Sequence, residues 1–417
     1  MQLSWPMHGN SSCSQFDVKA ENDLVMTRAE IPSSTVDLYT DHALENPLPL
    51  YRDLQKLGPL VWLQAQGAMA VTRFAECRQA LRNPEIFTSS EGVGLNETCN
   101  ALTHGSVLTS DGALHARLKG VLAKRFGPGA MKELRSSVQQ RADQLVDQLV
   151  DRGTFDAVKD LTQAYPLSVA CDFIGFPHED RHQLLPWATA VFDFFGPPNE
   201  RCLAAEATTR EAFGYAFNPE LPRRILPGSA GAEIFAAVER QELTPPQGCI
   251  LMMAYVSAGL DTTIASLQHL LYLFATNPDE WGKLRVNTDL IPSAYNEVLR
   301  LGSPVRGFAR VTTQACELGN AQLEKGTRML LLFAAANRDP SFWKDPDRFD
   351  ISRDASGHLS FGHGVHLCAG APLARLEVHC MLTALARRVA HIEVEAATPL
   401  ANNSVQSLRE LRVSLRS

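Results

Sequence analysis

The sequence predicts a mainly α-helical fold with small β-sheets, and three observations predict it. The longest apolar stretch, Ile250 to Ala275, is far too long for a strand and sits between Thr244-Pro245 and Pro278. Leu134, Val138, Leu145 and Leu149 recur on one helical face. The run APLARLEVHCMLTALARRV after Gly370 is helix-like, whereas the strand-like runs are only about five residues long.

Taken in order, Pro47 to Leu57 reads as a short helix closed by Gly58-Pro59. Strand-like runs follow at Leu60 to Gln64 and Ala68 to Thr72, separated by Gly67. Phe74 to Arg82 is helical and ends at Asn83-Pro84. Thr88 to Asp111 is glycine-rich and polar without a clear period, a loop long enough to carry function. The Leu134–Leu149 helix has Gly153 as its stop. Pro197 to Gly231 is proline-punctuated and shows no pattern. A helix of about 30 residues is expected from Pro245 to Asn277, capped by Thr244. Beyond it, helices alternate with short strands.

Composition bounds the function. The net charge of −7 argues against a nucleic-acid partner. Nine scattered cysteines read as reduced thiols of a cytoplasmic protein rather than a disulfide framework. Met1 to Pro32 is polar, with Asp17, Lys19, Glu21, Asp23, Arg28 and Glu30, and lacks a signal-peptide core or a span of about 20 apolar residues. Asp261 and His269 interrupt the Ile250–Ala275 stretch, which fits a buried central helix better than a bilayer span. A soluble protein without a membrane partner is expected.

The most informative stretch is Phe361 to Gly370, FGHGVHLCAG. It sets Cys368 in a glycine-punctuated loop just ahead of a helix. Gly362, Gly364 and Gly370 can supply positive φ and close backbone approach. Amides aimed at the sulfur, with the positive end of the following helix, would hold a thiolate. Two other readings stand beside a metal-bound thiolate. His363, His366 and Cys368 supply three of the four ligands of a closed zinc site, and a lone cysteine is most often core filler. Neither accounts for the three glycines.

F-G-H-G-x-H-x-C-x-G resembles the haem-binding signature of the soluble bacterial cytochromes P450, over roughly residue 45 to the C-terminus. The resemblance implies the P450 fold, with haem b between the long central helix and the cysteine loop with its following helix. It implies a polar N-terminal extension, residues 1 to 40, and one domain from 41 to 417. It makes Cys368 the thiolate ligand of the iron, His366 a donor to a haem propionate, and Phe361 and Gly370 neighbours of the sulfur.

Inside the long helix lies Ala258-Gly259-Leu260-Asp261-Thr262-Thr263. A mid-helix glycine costs about 1 kcal/mol against alanine, and a threonine can bond back to the i−4 carbonyl and bend the helix. The family places such a segment over the face where dioxygen binds. The resemblance makes Thr262 the hydroxyl that manages protons there and Asp261 the gate for protons from solvent. The bland reading is a helix with a polar seam.

Glu297 and Arg300 form E-x-x-R, a spacing expected about once by chance at this charge content. A second copy, Glu220 and Arg223, spans Pro222. The family supplies a third partner in WKDPDRF, assigned to Arg348 as part of a buried structural network. Family placement gives His115, Lys119, Arg310 and His366 to the propionates, although the usual residue at position 119 is arginine. Where the pattern has Pro-Pro after its aspartate, this chain has Gly112-Ala113.

Substrate contacts are expected from Leu102, Thr103, Ser106, Phe192, Phe195, Ala254, Ser257 and Phe308. Three phenylalanines make a flat slot for a small aromatic molecule, unless all three are core. The Phe pair, Ser257 and S-P-V-R-G-F-A-R resemble the family members that oxidise para-substituted benzoates, including by O-demethylation. Those members bind the carboxylate with an arginine in the 88–110 region. Here no Lys or Arg lies between Arg82 and Arg117, so a neutral methoxyphenol or alkylphenol is expected, with a terpenoid or other apolar metabolite as the alternative. The resemblance also implies O2 and a ferredoxin with an NAD(P)H-dependent reductase, docking near Arg117, Lys119, Lys124, Arg125 and Arg375. The alternative of another class is a haem-binding or sensing protein without turnover.

Overall fold

The computed structural model describes residues 30–417, and the polar stretch before them lies outside the described residues. Strands β1 (Ser33–Ser34), β2 (Leu60–Leu63), β3 (Ala68–Val71) and β4 (Phe87–Thr88) precede the helical body. β5 (Thr154–Asp156), β6 (Phe308–Thr312), β7 (Cys316–Leu318), β8 (Ala321–Leu323), β9 (Arg328–Leu331), β10 (His391–Leu400) and β11 (Ser407–Arg416) follow. Six form one sheet in the order β1-β2-β3-β9-β6-β4, three a second sheet β10-β11-β5, and β7 pairs with β8. β1 runs parallel to β2, with Trp62 N donating to Pro32 O at 2.8 Å, so the sheet starts ahead of the boundary drawn at residue 40.

Helix dominates, as expected. The Pro128–Arg152 helix buries Val138, Ala142, Val146 and Leu149 along one stripe and stops at Gly153, whose φ of 79° favours glycine. It lies along the Ala371–Arg388 helix, and together with Asp261–Thr276 and Ile291–Gly302 the two enclose one apolar core. A second core surrounds the cavity described below.

Several helices were not legible, two of them beside the site. Glu97–Thr103 occupies the stretch read as loop, started by the Asn96 side chain, which accepts from Thr98 N and Cys99 N. Glu200–Ala216 occupies the proline-punctuated stretch, and its buried face is Cys202, Ala205, Thr209, Ala212, Phe213 and Ala216. Small residues give a weak periodic signal, so only close approach to the neighbouring Leu184–Phe194 helix reveals that face.

The long central helix is broken. It runs Pro245–Ala258, pauses at Gly259 and Leu260, and resumes as Asp261–Thr276. Its start has the expected cap, Thr244 N donating to Gln247 Oε1 at 2.9 Å. Its length and hydropathy would suffice to cross a membrane, yet most of its apolar surface is buried against the rest of the protein.

Candidate active site

Cys368 lies at the floor of a cavity of about 300 Å³ between the broken helix and the loop before Ala371–Arg388. Burial pushes its thiol up, while the amides of Gly370 and Ala371 and the charge of Lys119 act the other way, toward thiolate. Gly362 and Gly364 take φ of 71° and 68°, and a Cβ on Gly364 would stand 2.5 Å from Leu81 O. Gly370 departs from expectation: its φ is −81°, because it caps the following helix and turns its amide toward the sulfur.

The loop is clamped from several sides. Cys368 N donates to Phe361 O at 2.8 Å, and the Arg375 guanidinium lies 5.1 Å from the Phe361 ring centre. The two histidines weighed as zinc ligands are engaged elsewhere. His363 Nε2 accepts from Arg82 Nε at 2.9 Å, and His366 Nε2 lies 2.8 Å from Asp111 Oδ1. Asp111 also accepts from Ser89 N at 2.8 Å and from the Thr88 hydroxyl, and these donors hold its carboxyl well below the usual range despite burial.

His115, Lys119, Arg310 and His366 all reach the cavity wall. β6 explains one placement: Phe308 and Arg310, two residues apart, share a strand face. Arg310 is buried, makes a single protein hydrogen bond, to Ala309 O at 2.7 Å, and forms no ion pair among the described residues. A buried guanidinium without a carboxylate partner calls for an anion. With the amide-cradled thiol of Cys368 opposite, this donor set fits a thiolate-ligated haem and its propionates. Lys119 is used differently than expected: its ammonium donates to Val365 O and, at 2.8 Å, to Leu367 O, tying the cysteine loop down. His115 is buried rather than a surface residue, 4.2 Å ring to ring from His366, and burial lowers its pKa to about 4.

On the opposite wall, Thr262 Oγ1 donates to Ala258 O at 2.9 Å, the expected back-bond across the break at Gly259. Ala258, Gly259 and Thr262 face the cavity, whereas Asp261 turns away from it. Thr189 Oγ1 donates to Asp261 Oδ2 at 2.8 Å. Burial pushes the Asp261 carboxyl up to about 7, against the Thr189 hydrogen bond and with the help of Asp193.

The aromatic slot forms. Phe192 and Phe195 lie 6.4 Å apart, Phe308 meets Phe195 edge-on at 5.8 Å, and Phe333, unread in the sequence, closes on Phe308 at 6.3 Å. Thr103, Ser106, Ala254 and Ser257 share this cavity. Leu102 does not: the Glu97–Thr103 helix turns Cys99 and Thr103 inward, one turn apart, and Leu102 packs into the adjoining core. Glu377 was also missed. Its carboxyl is buried at the cavity floor with Oε2 unpartnered, and burial raises its pKa well above the ordinary value.

The scaffold network needs one correction. Glu297 and Arg300 are fully buried and joined at 2.7 and 2.8 Å, but the third side chain is Arg353, whose Nε lies 3.1 Å from Glu297 Oε1. Arg348 contributes only its carbonyl, to Arg300, and its side chain is exposed. Arg353 is the one held inward, its guanidinium donating to the Lys344 and Asp345 carbonyls of the turn. Glu220 and Arg223 pair at 2.9 Å on the exposed surface. In the basic patch, Lys124 pairs with Glu233 and Glu242, Arg125 with Gly228 O, and Arg375 with Asn296, which leaves Arg117 exposed.

Comparisons with known proteins agree with this geometry. Residues 234–403 match the family model for cytochrome P450. The chain is 40% identical over 396 residues to cytochrome P450 CYP199A2 of Rhodopseudomonas palustris, covering 93% of this chain and 95% of that one. It is 31% identical to the cyclomarin C epoxidase CymV of Salinispora arenicola, covering 88% and 95%. Among solved structures it resembles P450BioI bound to an acylated acyl carrier protein, with a TM-score of 0.82 at 25% identity, covering 90% and 99%.

Proposed function

This chain belongs to the cytochrome P450 family of monooxygenases, and on that premise we propose that it hydroxylates or O-dealkylates a small neutral aromatic molecule of the methoxyphenol or alkylphenol type. The observation that carries the substrate reading is the slot walled by Phe192, Phe195, Phe308 and Phe333, in a cavity whose own two cations stand by the cysteine loop. The cavity's cations, Lys119 and Arg310, stand with His115 and His366 around the cysteine loop. A buried carboxylate in the slot would have to draw on Arg310, which this reading gives to a propionate, or on Arg306, which lies behind Phe195 and Phe308 and is tied to Leu44 O.

The polarity of the hydroxyls points the same way. Thr103 donates to Cys99 O and Ser257 to Met253 O, each at 2.8 Å. Their hydrogens are committed, and only lone pairs remain for a ligand. These two hydroxyls would accept from a phenol O–H, and the buried Tyr255 hydroxyl in the same cavity, without a protein partner, is left to donate to a neutral oxygen.

Haem b bound through Cys368 would supply the oxygen chemistry, with O2 as co-substrate. This chain's part is to hold the thiolate by amides, to anchor propionates with Arg310, His115 and His366, and to manage protons at Thr262 and Asp261. The Thr262 hydroxyl keeps the helix break open by satisfying Ala258 O. Asp261, titrating near neutrality, exchanges protons at working pH. A ferredoxin and an NAD(P)H-dependent reductase are the proposed electron source, docking by the cysteine loop near Arg117. A cytoplasmic location is part of this reading, with the central helix packed inside the fold.

The test is the absorption spectrum of the ferrous–CO complex, followed by titration of the ferric protein with small aromatics. The red-shifted thiolate band and a spin-state shift with 4-methoxyphenol but not 4-methoxybenzoate are expected. A histidine-like CO band would overturn the Cys368 assignment, and an equal shift with the benzoate would overturn the neutral slot.

A further inference from the structure

We propose that Thr189 is the positioning residue of Asp261 and that, with Asp193, it forms the outer station through which protons reach that carboxyl. The proposal rests on the reading of Asp261 as a proton gate and adds the groups that set and refill it.

The two carboxyls stand on neighbouring helices, near enough for the charge of one to act on the other. Asp261 begins the resumed central helix, and Thr189 and Asp193, four residues apart, share one face of Leu184–Phe194. The Thr189 hydroxyl is the hydrogen-bond donor Asp261 receives, at 2.8 Å. Asp261 has no ion pair among the described residues, so neither lysine nor arginine fixes its side chain or its charge. Asp193 is the charged group whose field reaches it, and that field disfavours the carboxylate. Arg201 and Arg306 act on Asp193 from its other side.

Asp193 is itself held in place by the connection between β10 and β11. Asn403 N donates to Asp193 Oδ1 at 2.8 Å, and Asn403 Nδ2 donates to the Asp193 carbonyl at 2.8 Å. Asn199 Nδ2 reaches Asn403 Oδ1 at 2.9 Å. The hydrogen bonds run from Asp193 through Asn403 to Asn199, the half-buried cap of the next helix, and Thr189 stands beside them on the same helix face as Asp193. This seam is a second polar feature of the helix that also presents Phe192 to the slot.

The proton step balances without a charged alkoxide. As Thr189 O–H gives its proton to Asp261, its oxygen takes one from water or from the protonated carboxyl on the Asp193 side. Asp261 ends as the neutral acid and the donor side has lost one proton. Thr189 cannot refill Asp261 if the hydroxyl is removed, and a serine retains the whole function.

Two measurements test this on the haem-loaded protein. In infrared titration, the carboxyl band absent from Asp261→Asn reports Asp261 directly. Thr189→Val removes a donor to the carboxylate and should raise the midpoint, whereas Asp193→Asn removes a like charge and should lower it. A merely structural role would not give shifts of opposite sign. In turnover, Thr189→Val should raise the share of electrons lost to peroxide and the solvent isotope effect, with the ferrous–CO band unchanged, and Thr189→Ser should restore both. Midpoints that stay fixed, or move together, would overturn the positioning role. If Asp261→Asn uncouples turnover while Thr189→Val does not, the outer station is wrong but the gate stands. If Asp261→Asn leaves coupling unchanged, the gate fails and the proposal with it.

Discussion

Replacing Arg353 with alanine should destabilise the protein by about 2 to 3 kcal/mol, whereas Arg348→Ala should change stability by less than about 0.5 kcal/mol. Glu297 has 0% side-chain exposure and receives Arg300 Nε at 2.7 Å, Arg300 NH2 at 2.8 Å and Arg353 Nε at 3.1 Å. Losing every cation around such a carboxylate costs about 3 to 5 kcal/mol. Removing Arg353 alone leaves the Arg300 fork, so the loss is nearer one charge-assisted hydrogen bond, about 1.5 to 3 kcal/mol. The Lys344 and Asp345 carbonyls lose a donor as well, at 2.6 and 3.2 Å. Arg353 is only 14% exposed, so solvent does little to screen the pair. The assay is urea unfolding of the ferric protein, with unchanged m-values licensing the comparison. An Arg348→Ala loss equal to that of Arg353→Ala, or no loss for Arg353→Ala, would refute the reasoning.

Three further outcomes follow from the same geometry. Thr262→Ala should retain haem and substrate binding but divert electrons to peroxide, because the cavity loses the hydroxyl that bonds Ala258 O across the break. NADH consumed against product and peroxide formed reads this, and tight coupling in the variant would contradict it. Lys119→Met should loosen the Val365–Leu367 carbonyls and speed haem loss to apomyoglobin at least severalfold, and unchanged retention would show that the clamp is dispensable. Stability should fall with acidification between about pH 6.5 and 4. His115, His269 and His379 are held neutral near pKa 4, and His358 near 3, chiefly by burial. A histidine with a depressed folded pKa binds fewer protons folded than unfolded in that window, so the four histidines make stability rise with pH there, and the buried carboxyls of Asp193, Asp261 and Glu377, raised by burial, offset part of that rise. Each group contributes up to about 1.36 kcal/mol per pH unit. Urea midpoints at pH 7.5, 6.0 and 5.0 check the sign, and a flat profile would refute it.

Much of the site was legible because its chemistry is local in the chain. The glycines around Cys368 lie within six residues of it, and the back-bonding Thr262 and the i,i+3 pair of Glu297 and Arg300 act over four residues or fewer. Phe308 and Arg310 share a strand face for the same reason. What escaped were partners supplied from far along the chain. Thr189 meets Asp261 across 72 residues, Asp111 meets His366 across 255, and Lys119 reaches Leu367 across 248. No spacing rule reaches that far.

The corrections have the same origin. Arg348 and Arg353 both follow the E-x-x-R helix in a short charged turn, and composition cannot say which one faces inward. Leu102 and Thr103 are adjacent, and only the helix phase set by the Asn96 cap separates core from cavity. By itself the sequence determined helix dominance, the thiolate-holding loop, the oxygen-side motif and the family, because hydrophobic period, backbone chirality and short hydrogen bonds are local constraints. Tertiary structure alone decided which buried charges meet, which phenylalanines touch and how Asp261 is poised. Those depend on desolvation and on contacts between distant segments, which exist only once the chain has closed around them.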